Sequence, residues 1–258
     1  MRLPTTPPGL RSVILAGIVL LLGSTQPLHA AGSPPFITDD PGTPGPGHWE
    51  INTGVSTERR PGLTLAELPL FDINYGVGET LQLKYEMPYL VQREAGQPQL
   101  SGWGNSEFGV KWRFLDTGEG GRSMSVYPQL EFNNPRSSAD DRGLVEDGSA
   151  FLLPVQFEQG LGPVTLNLQL GREFRSSGDS WFYGIILSHQ LQKKIEVGVE
   201  LAGTAATKLD RSQLTLNFGA TYEISETSSL MISIGRELHN HDEPRATLVG
   251  YLGWQFRL

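Results

Sequence analysis

The sequence predicts an all-β protein, an antiparallel up-and-down transmembrane β-barrel of about twelve strands. Three observations carry that expectation. Apolar and polar residues alternate with period two along most of the chain after residue 48. The connections between alternating segments are short and long by turns. The aromatic residues collect near the segment ends, on the apolar face.

Composition sets the bounds. The chain has 258 residues, 38% of them hydrophobic, with 31 glycines and no cysteine. That apolar content is too low for a helical membrane protein. Without cysteine there is no disulfide scaffold and no thiolate metal site. A formal charge of −8 argues against a nucleic-acid partner, which needs a basic face.

Residues 1–30 read as a secretory signal. Arg2 and Arg11 supply the positive start, Val13 to Gly23 a short apolar core, and Leu28-His29-Ala30-Ala31 small residues for cleavage after Ala30 or Ala31. Removal takes away two arginines and no acid, so the exported chain would carry −8 − 2 = −10. No later run reaches the ~18 apolar residues of a spanning helix. Export combined with the barrel pattern gives the expected location, the outer membrane of a Gram-negative bacterium.

Residues 31–47 form an irregular segment, because Pro41, Pro44 and Pro46 exclude both a helix and a central strand. Its Asp39-Asp40 pair is a candidate lumen plug, able to meet Lys84, Lys111, Arg113 or Arg257. The alternative is a solvated periplasmic lead.

Residues 48–258 form the barrel. A strand sends successive side chains to opposite faces, so each alternating run defines one strand. Trp49, Ile51 and Val55 oppose Glu50, Asn52 and Ser56. Phe71 to Val77 oppose Asp72 and Asn74, and Leu81 to Tyr89 oppose Gln82, Lys84 and Glu86. Phe108 to Phe114 oppose Glu107, Lys111 and Arg113, and Met124 to Phe132 oppose Ser125, Tyr127 and Glu131. Phe151 to Phe157 oppose Gln156 and Glu158, and Val164 to Leu170 oppose Asn167 and Gln169. Trp181 to Leu187 oppose Gly184 and Ser188, and Ile195 to Leu201 oppose Glu196 and Glu200. Leu214 to Ile224 oppose Asn217 and Glu223, and Leu230 to Ile234 oppose Ser233 and Gly235. The last run, Arg245 to Leu258, ends the chain with Phe256 and Leu258 on its apolar face.

A soluble sandwich also has one apolar face per strand. The connections and the aromatics separate the two. Turns at 77–79, 160–163, 192–194 and 225–227 are tight, whereas 93–104, 133–148, 172–180, 204–212 and 238–244 are longer and polar, with 116–122 the one intermediate case. Membrane barrels have short periplasmic turns and longer outer loops. In that order Trp49, Tyr75, Trp112, Trp254 and Phe256 lie near the periplasmic edge. Tyr89, Phe132, Phe151, Trp181 and Tyr183 lie near the outer edge. Membrane interfaces select two such girdles. The opposite face becomes a lumen. Its expected lining is Glu50, Asp72, Lys84, Glu86, Glu107, Lys111, Arg113, Glu131, Glu158, Glu196, Glu200, Glu223 and Arg257.

Tyr251, Gly253, Phe256 and Leu258 fit the C-terminal signal of bacterial outer-membrane barrels, which implies the barrel-assembly machinery as a partner. Further stretches resemble a known family. They are Pro34 to Pro41, Phe71-Asp72-Ile73-Asn74-Tyr75-Gly76, Gln82 to Tyr89, and Gly102 to Asn105 before Gly109 to Phe114. They resemble the outer-membrane transporter family named for the meta-pathway of phenol degradation. Asn105 departs from the pattern, which would place an acid there. The resemblance implies an outer-membrane β-barrel and uptake of small aromatic or apolar compounds. It brings no catalytic or binding residues.

Other chemistry reads weakly. Ser188 and His189 are adjacent on a strand, so they point to opposite faces and cannot act as a nucleophile and base. His239-Asn240-His241-Asp242-Glu243 and the group Asp140, Asp141, Glu146 and Asp147 read as polar outer loops rather than zinc or calcium sites. No catalytic residue, metal or cofactor is expected. The expected partners are outer-membrane lipid, lipopolysaccharide and a small solute whose identity the sequence leaves open. The expected function is passive passage of small molecules. The alternatives are a non-conducting structural or surface-binding barrel and an outer-membrane lipid-modifying enzyme.

Overall fold

The computed structural model describes residues 33–258. The expected signal at 1–30 lies outside the described residues. The described chain is all β. Its segments are β1 (Trp49–Arg60), β2 (Leu63–Val77), β3 (Leu81–Glu94), β4 (Leu100–Trp103), β5 (Ser106–Asp116), β6 (Arg122–Val126) and β7 (Gln129–Phe132). Then come β8 (Ala150–Leu161), β9 (Val164–Arg175), β10 (Ser180–Gln192), β11 (Ile195–Ala206), β12 (Ser212–Ser225), β13 (Ser228–Asn240) and β14 (Leu248–Arg257).

Fourteen segments make twelve barrel strands. Both β4 and β5 pair with β3, and both β6 and β7 pair with β5 and β8. Each couple is therefore one strand interrupted by two residues, Gly104-Asn105 in one and Tyr127-Pro128 in the other. Proline cannot donate to a ladder, which explains the second break.

The barrel closes by pairing β1 with β14, from Glu50 opposite Arg257 to Arg59 opposite Leu248. At the seam the Trp49 N–H donates to the Leu258 carbonyl at 2.8 Å, and the Leu258 N–H donates back at 2.9 Å. Closure leaves no strand edge, which lipid could not hydrogen-bond. Tyr251 lies across this seam. A Cβ on Gly54 or on its partner Gly253 would meet the Tyr251 ring within 3 Å, so both positions need glycine to let the ring lie flat.

Burial is the reverse of a water-soluble protein. Trp112, Leu170 and Ile234 are more than half exposed on the outer surface. Asn52, Gln156, Asn217 and Glu200 are buried inside. A continuous apolar belt of this extent fits hydrocarbon, not water. Stacked or tilted aromatic pairs mark its rims: Trp49 with Tyr75 at 4.6 Å, Trp254 with Phe256 at 6.1 Å and Phe151 with Phe174 at 6.1 Å.

Several connections differ from expectation, and two outer ones are shorter: β9 runs on to Arg175 and β11 to Ala206, so 172–180 and 204–212 shrink to 176–179 and 207–211. The stretch 93–104 is not one long loop. β3 runs to Glu94 and β4 begins at Leu100, because Tyr89–Gln92 pair with Leu100–Trp103 and the Tyr89 and Trp103 rings meet edge to face at 5.2 Å. Small Ser101 and Gly102 hide that alternation in the sequence. The first outer turn is also tight, at Pro61-Gly62, with Gly62 at φ 81°. The long connection after β7 folds back over the outer mouth and buries Ala139 and Leu144 against Leu90.

Candidate functional site

Strand phase aims the polar residues of all twelve strands at one enclosed space. Cavities lie toward both of its ends. The inner, periplasmic one is about 310 Å³, bordered by Glu50, Asp72, Lys84, Lys111, Glu158, Glu196, Glu223 and Arg257. The outer one is about 500 Å³, bordered by Arg60, Glu131, Glu173, Arg175 and Glu243.

Between them lies the N-terminal segment. The Ile37 and Thr38 N–H groups donate to the Glu200 carboxylate at 3.1 and 2.5 Å. The Asp39 N–H donates to Gln169 Oε1 at 2.7 Å. Lys111 Nζ donates to Asp39 Oδ1 at 3.1 Å and to the Asp40 carbonyl at 2.6 Å. Glycines make the floor. A Cβ on Gly184 would sit 1.8 Å from Thr38 Oγ1, and Cβ atoms on Gly198 and its partner Gly219 would sit 2.7 and 2.6 Å from the Phe36 ring. Gly76 takes the other end, where the Gly47 N–H donates to its carbonyl at 2.9 Å. The wall is thus shaped to this segment, and Thr38 and Asp39 are buried there.

Of the four cations considered for the Asp39-Asp40 pair, Lys111 meets Asp39. Lys84 instead bridges Glu86 at 2.8 Å and Glu107 at 3.2 Å. Arg113 pairs with Asp116 at 3.2 Å, and Arg257 borders the inner cavity. Lys111 Nζ also stands 4.8 Å above the Tyr127 ring. Asp72 accepts from Asn52 at 2.9 Å and Asn74 at 3.0 Å. Asn105, the departure from the family pattern, donates to Glu131 at 2.9 Å. An ionised acid at that buried place would repel Glu131 instead.

Of the outer cluster, sequence reasoning placed only Glu131 in the lumen and missed both arginines. Arg60 sits among Glu58 at 2.6 Å, Glu237 at 2.6 Å and Glu243 at 3.5 Å. Burial pushes the Glu243 carboxyl up, and Arg60 opposes the shift. Arg175 sits among Glu131 at 2.7 Å, Glu173 at 2.7 Å and Glu146 at 3.5 Å. The available signal was phase: Glu58 and Arg60 continue the inward register of Glu50 and Asn52.

Ser188 borders the inner cavity, whereas the His189 ring meets the Pro163 carbonyl at the exposed surface. Among the described residues, no group of three or more His, Asp or Glu could hold a metal.

A closed twelve-strand barrel with an apolar belt outside and a charged, ion-paired interior is an outer-membrane β-barrel. Within that class, the family model described as "Putative MetA-pathway of phenol degradation" matches residues 33–256, and the chain belongs to this family. Among solved structures, an outer-membrane channel from Pseudomonas putida F1 is similar with TM-score 0.66 and 13% identity, over 85% of this chain and 98% of that one. The NanC porin is similar with TM-score 0.60 and 6% identity, over 81% of this chain and 100% of that one. The KdgM porin, in complex with disordered oligogalacturonate, gives TM-score 0.54 and 12% identity, over 80% and 98%. At these identities the likeness is one of fold. No curated protein matches the chain.

Proposed function

We propose that this chain is a passive outer-membrane channel for small molecules, closed at rest by its own N-terminal segment. The observation that carries the reading is the polar interior with a cavity on each side of residues 36–40, held together by the bonds of Glu200, Gln169 and Lys111. A structural barrel would gain nothing from burying so many charges, because apolar filling is often the more stable choice. Family membership favours small aromatic compounds as the solute. The C-terminal residues Tyr251, Gly253, Phe256 and Leu258 would address the chain to the assembly machinery.

The charged interior would set selectivity, as rings of charge do in other pores. Glu50, Asp72, Glu158, Glu196 and Glu223 surround the inner cavity against Lys84, Lys111 and Arg257, so weak cation preference follows.

The test is liposome swelling with the full exported chain and with residues 31–46 deleted. Swelling in small sugars and phenols that rises on deletion supports a channel with a plug. No swelling in either form, at any solute size, would sink the channel reading and leave a structural barrel.

A further inference from the structure

We propose that Arg59, Arg93 and Arg236 form a binding row on the outside of the barrel for the phosphate groups of lipopolysaccharide, the phosphorylated glycolipid of the outer leaflet. The inference rests on the membrane reading of the fold and is independent of whether the lumen conducts.

Strand phase turns all three arginines outward. Arg59 is exposed beside the buried Arg60. Arg93 shares the face of Tyr89 and Val91, while Leu90 points in and is buried. Arg236 shares the face of Ile232 and Ile234, both more than half exposed, while Glu237 is buried inside.

Register then lines them up. Arg59 pairs with Thr64, and Thr64 pairs with Arg93. On its other side Arg59 pairs with Leu248. Gly235 pairs with Val249, which places Arg236 beside Leu248. One row across five adjacent strands therefore reads Arg236, Leu248, Arg59, Thr64, Arg93. The arginines recur every second strand, roughly 10 Å apart at the usual strand spacing. No acid stands in this row. Arg59 and Arg93 each lie one residue from the outer end of their strands, and Arg236 lies level with the first residue of β14.

Their partners set them apart from every other buried or outward arginine described above. Arg60 and Arg175 each hold three carboxylates inside the barrel. The outward Arg172 is matched by Asp179 at 2.7 Å and lies near the rings of Phe174 and Trp181. Among the described residues, no carboxylate pairs with Arg59, Arg93 or Arg236. The Arg93 Nε–H donates only to the neutral Gln99 amide, at 2.8 Å.

A charge on the lipid face is costly at mid-membrane and nearly free at the interface. A row of unmatched arginines at that height meets the headgroup layer. Guanidinium binds phosphate oxygens through paired N–H donors, and it is less strongly hydrated than ammonium. Leu248 between two arginines offers apolar contact to an acyl chain below the phosphates. The orientation of the barrel puts this row at the outer leaflet, where the phosphorylated lipid is the glycolipid.

Native mass spectrometry of the detergent-solubilised full chain tests this, using purified lipid A, lipid A stripped of its phosphates, and phosphatidylglycerol as probes. The variant is the triple Arg59→Gln, Arg93→Gln, Arg236→Gln. A control triple removes charge from outer loops, Arg136→Gln, Arg142→Gln and Lys208→Gln. Heat-modifiable gel mobility confirms folding of each. The expected result is that lipid A binding falls at least tenfold in the first triple and in the stripped lipid, but holds in the control. Unchanged lipid A binding in the first triple overturns the proposal, as does equal binding of the stripped lipid. Equal binding of phosphatidylglycerol overturns the assignment to the glycolipid. Liposome swelling should be the same in the first triple and the parent chain, which separates failure here from failure of the channel reading.

Discussion

Replacing Glu200 with glutamine should loosen the N-terminal segment without disturbing the barrel. Glu200 is fully buried on β11 and accepts the N–H groups of Ile37 and Thr38 and the Asn217 amide at 3.2 Å. Glutamine keeps the shape and one acceptor oxygen. Its NH₂ then faces a donor where a carboxylate oxygen stood. A hydrogen bond to a charged group contributes about 1.5–3 kcal/mol and a neutral one about 1. Losing one charged bond and weakening another should cost about 3 kcal/mol. That is roughly a hundredfold change in the ratio of released to docked segment. Hydrogen exchange of the peptide spanning residues 33–42 reads this ratio directly, because amides exchange from the open state. The peptide should exchange roughly a hundredfold faster. Peptides from β10, β11 and β12 should keep their protection. Unchanged exchange at 33–42 would refute the assignment of Glu200 as the anchor. Slower exchange would show that burying its charge outweighs the bonds it makes.

Other consequences follow from the same geometry. Gly184→Val places side-chain atoms where Thr38 now sits, so single-channel recordings should show more frequent opening than the parent chain. Arg60→Met strands the Glu58, Glu237 and Glu243 carboxylates in the outer cavity, and unfolding in detergent should become easier by about 3–5 kcal/mol. Adding Glu237→Leu to that variant should recover part of the loss, by the same assay. Reversal potentials across a salt gradient should indicate weak cation preference, and Glu196→Gln with Glu223→Gln should reduce it. Anion preference in the parent chain would contradict the acidic reading of the inner cavity.

The fold class was open to a reader of the sequence because its signal is local. Alternation needs only neighbouring residues, and a strand turns it into two faces whatever lies beside it. Twelve alternating runs, tight turns at one end and aromatics at both ends therefore predict the barrel that the structure contains. The same logic fails where small residues blur the pattern, as at Ser101 and Gly102 in β4. It fails again at the outer end of β1, where Ser56-Thr57-Glu58-Arg59-Arg60 holds no apolar residue to mark which face Arg60 takes.

What only the tertiary structure decided is partnership. Arg60 meets Glu237 across 177 positions of sequence, and Thr38 meets Glu200 across 162. Which Lys or Arg reaches Asp39 depends on the stagger at which twelve strands close, and no single strand carries that information. Residue order determines which face a side chain takes. Closure of the ring determines what stands opposite it, because the contact exists only once distant strands share one hydrogen-bonded register.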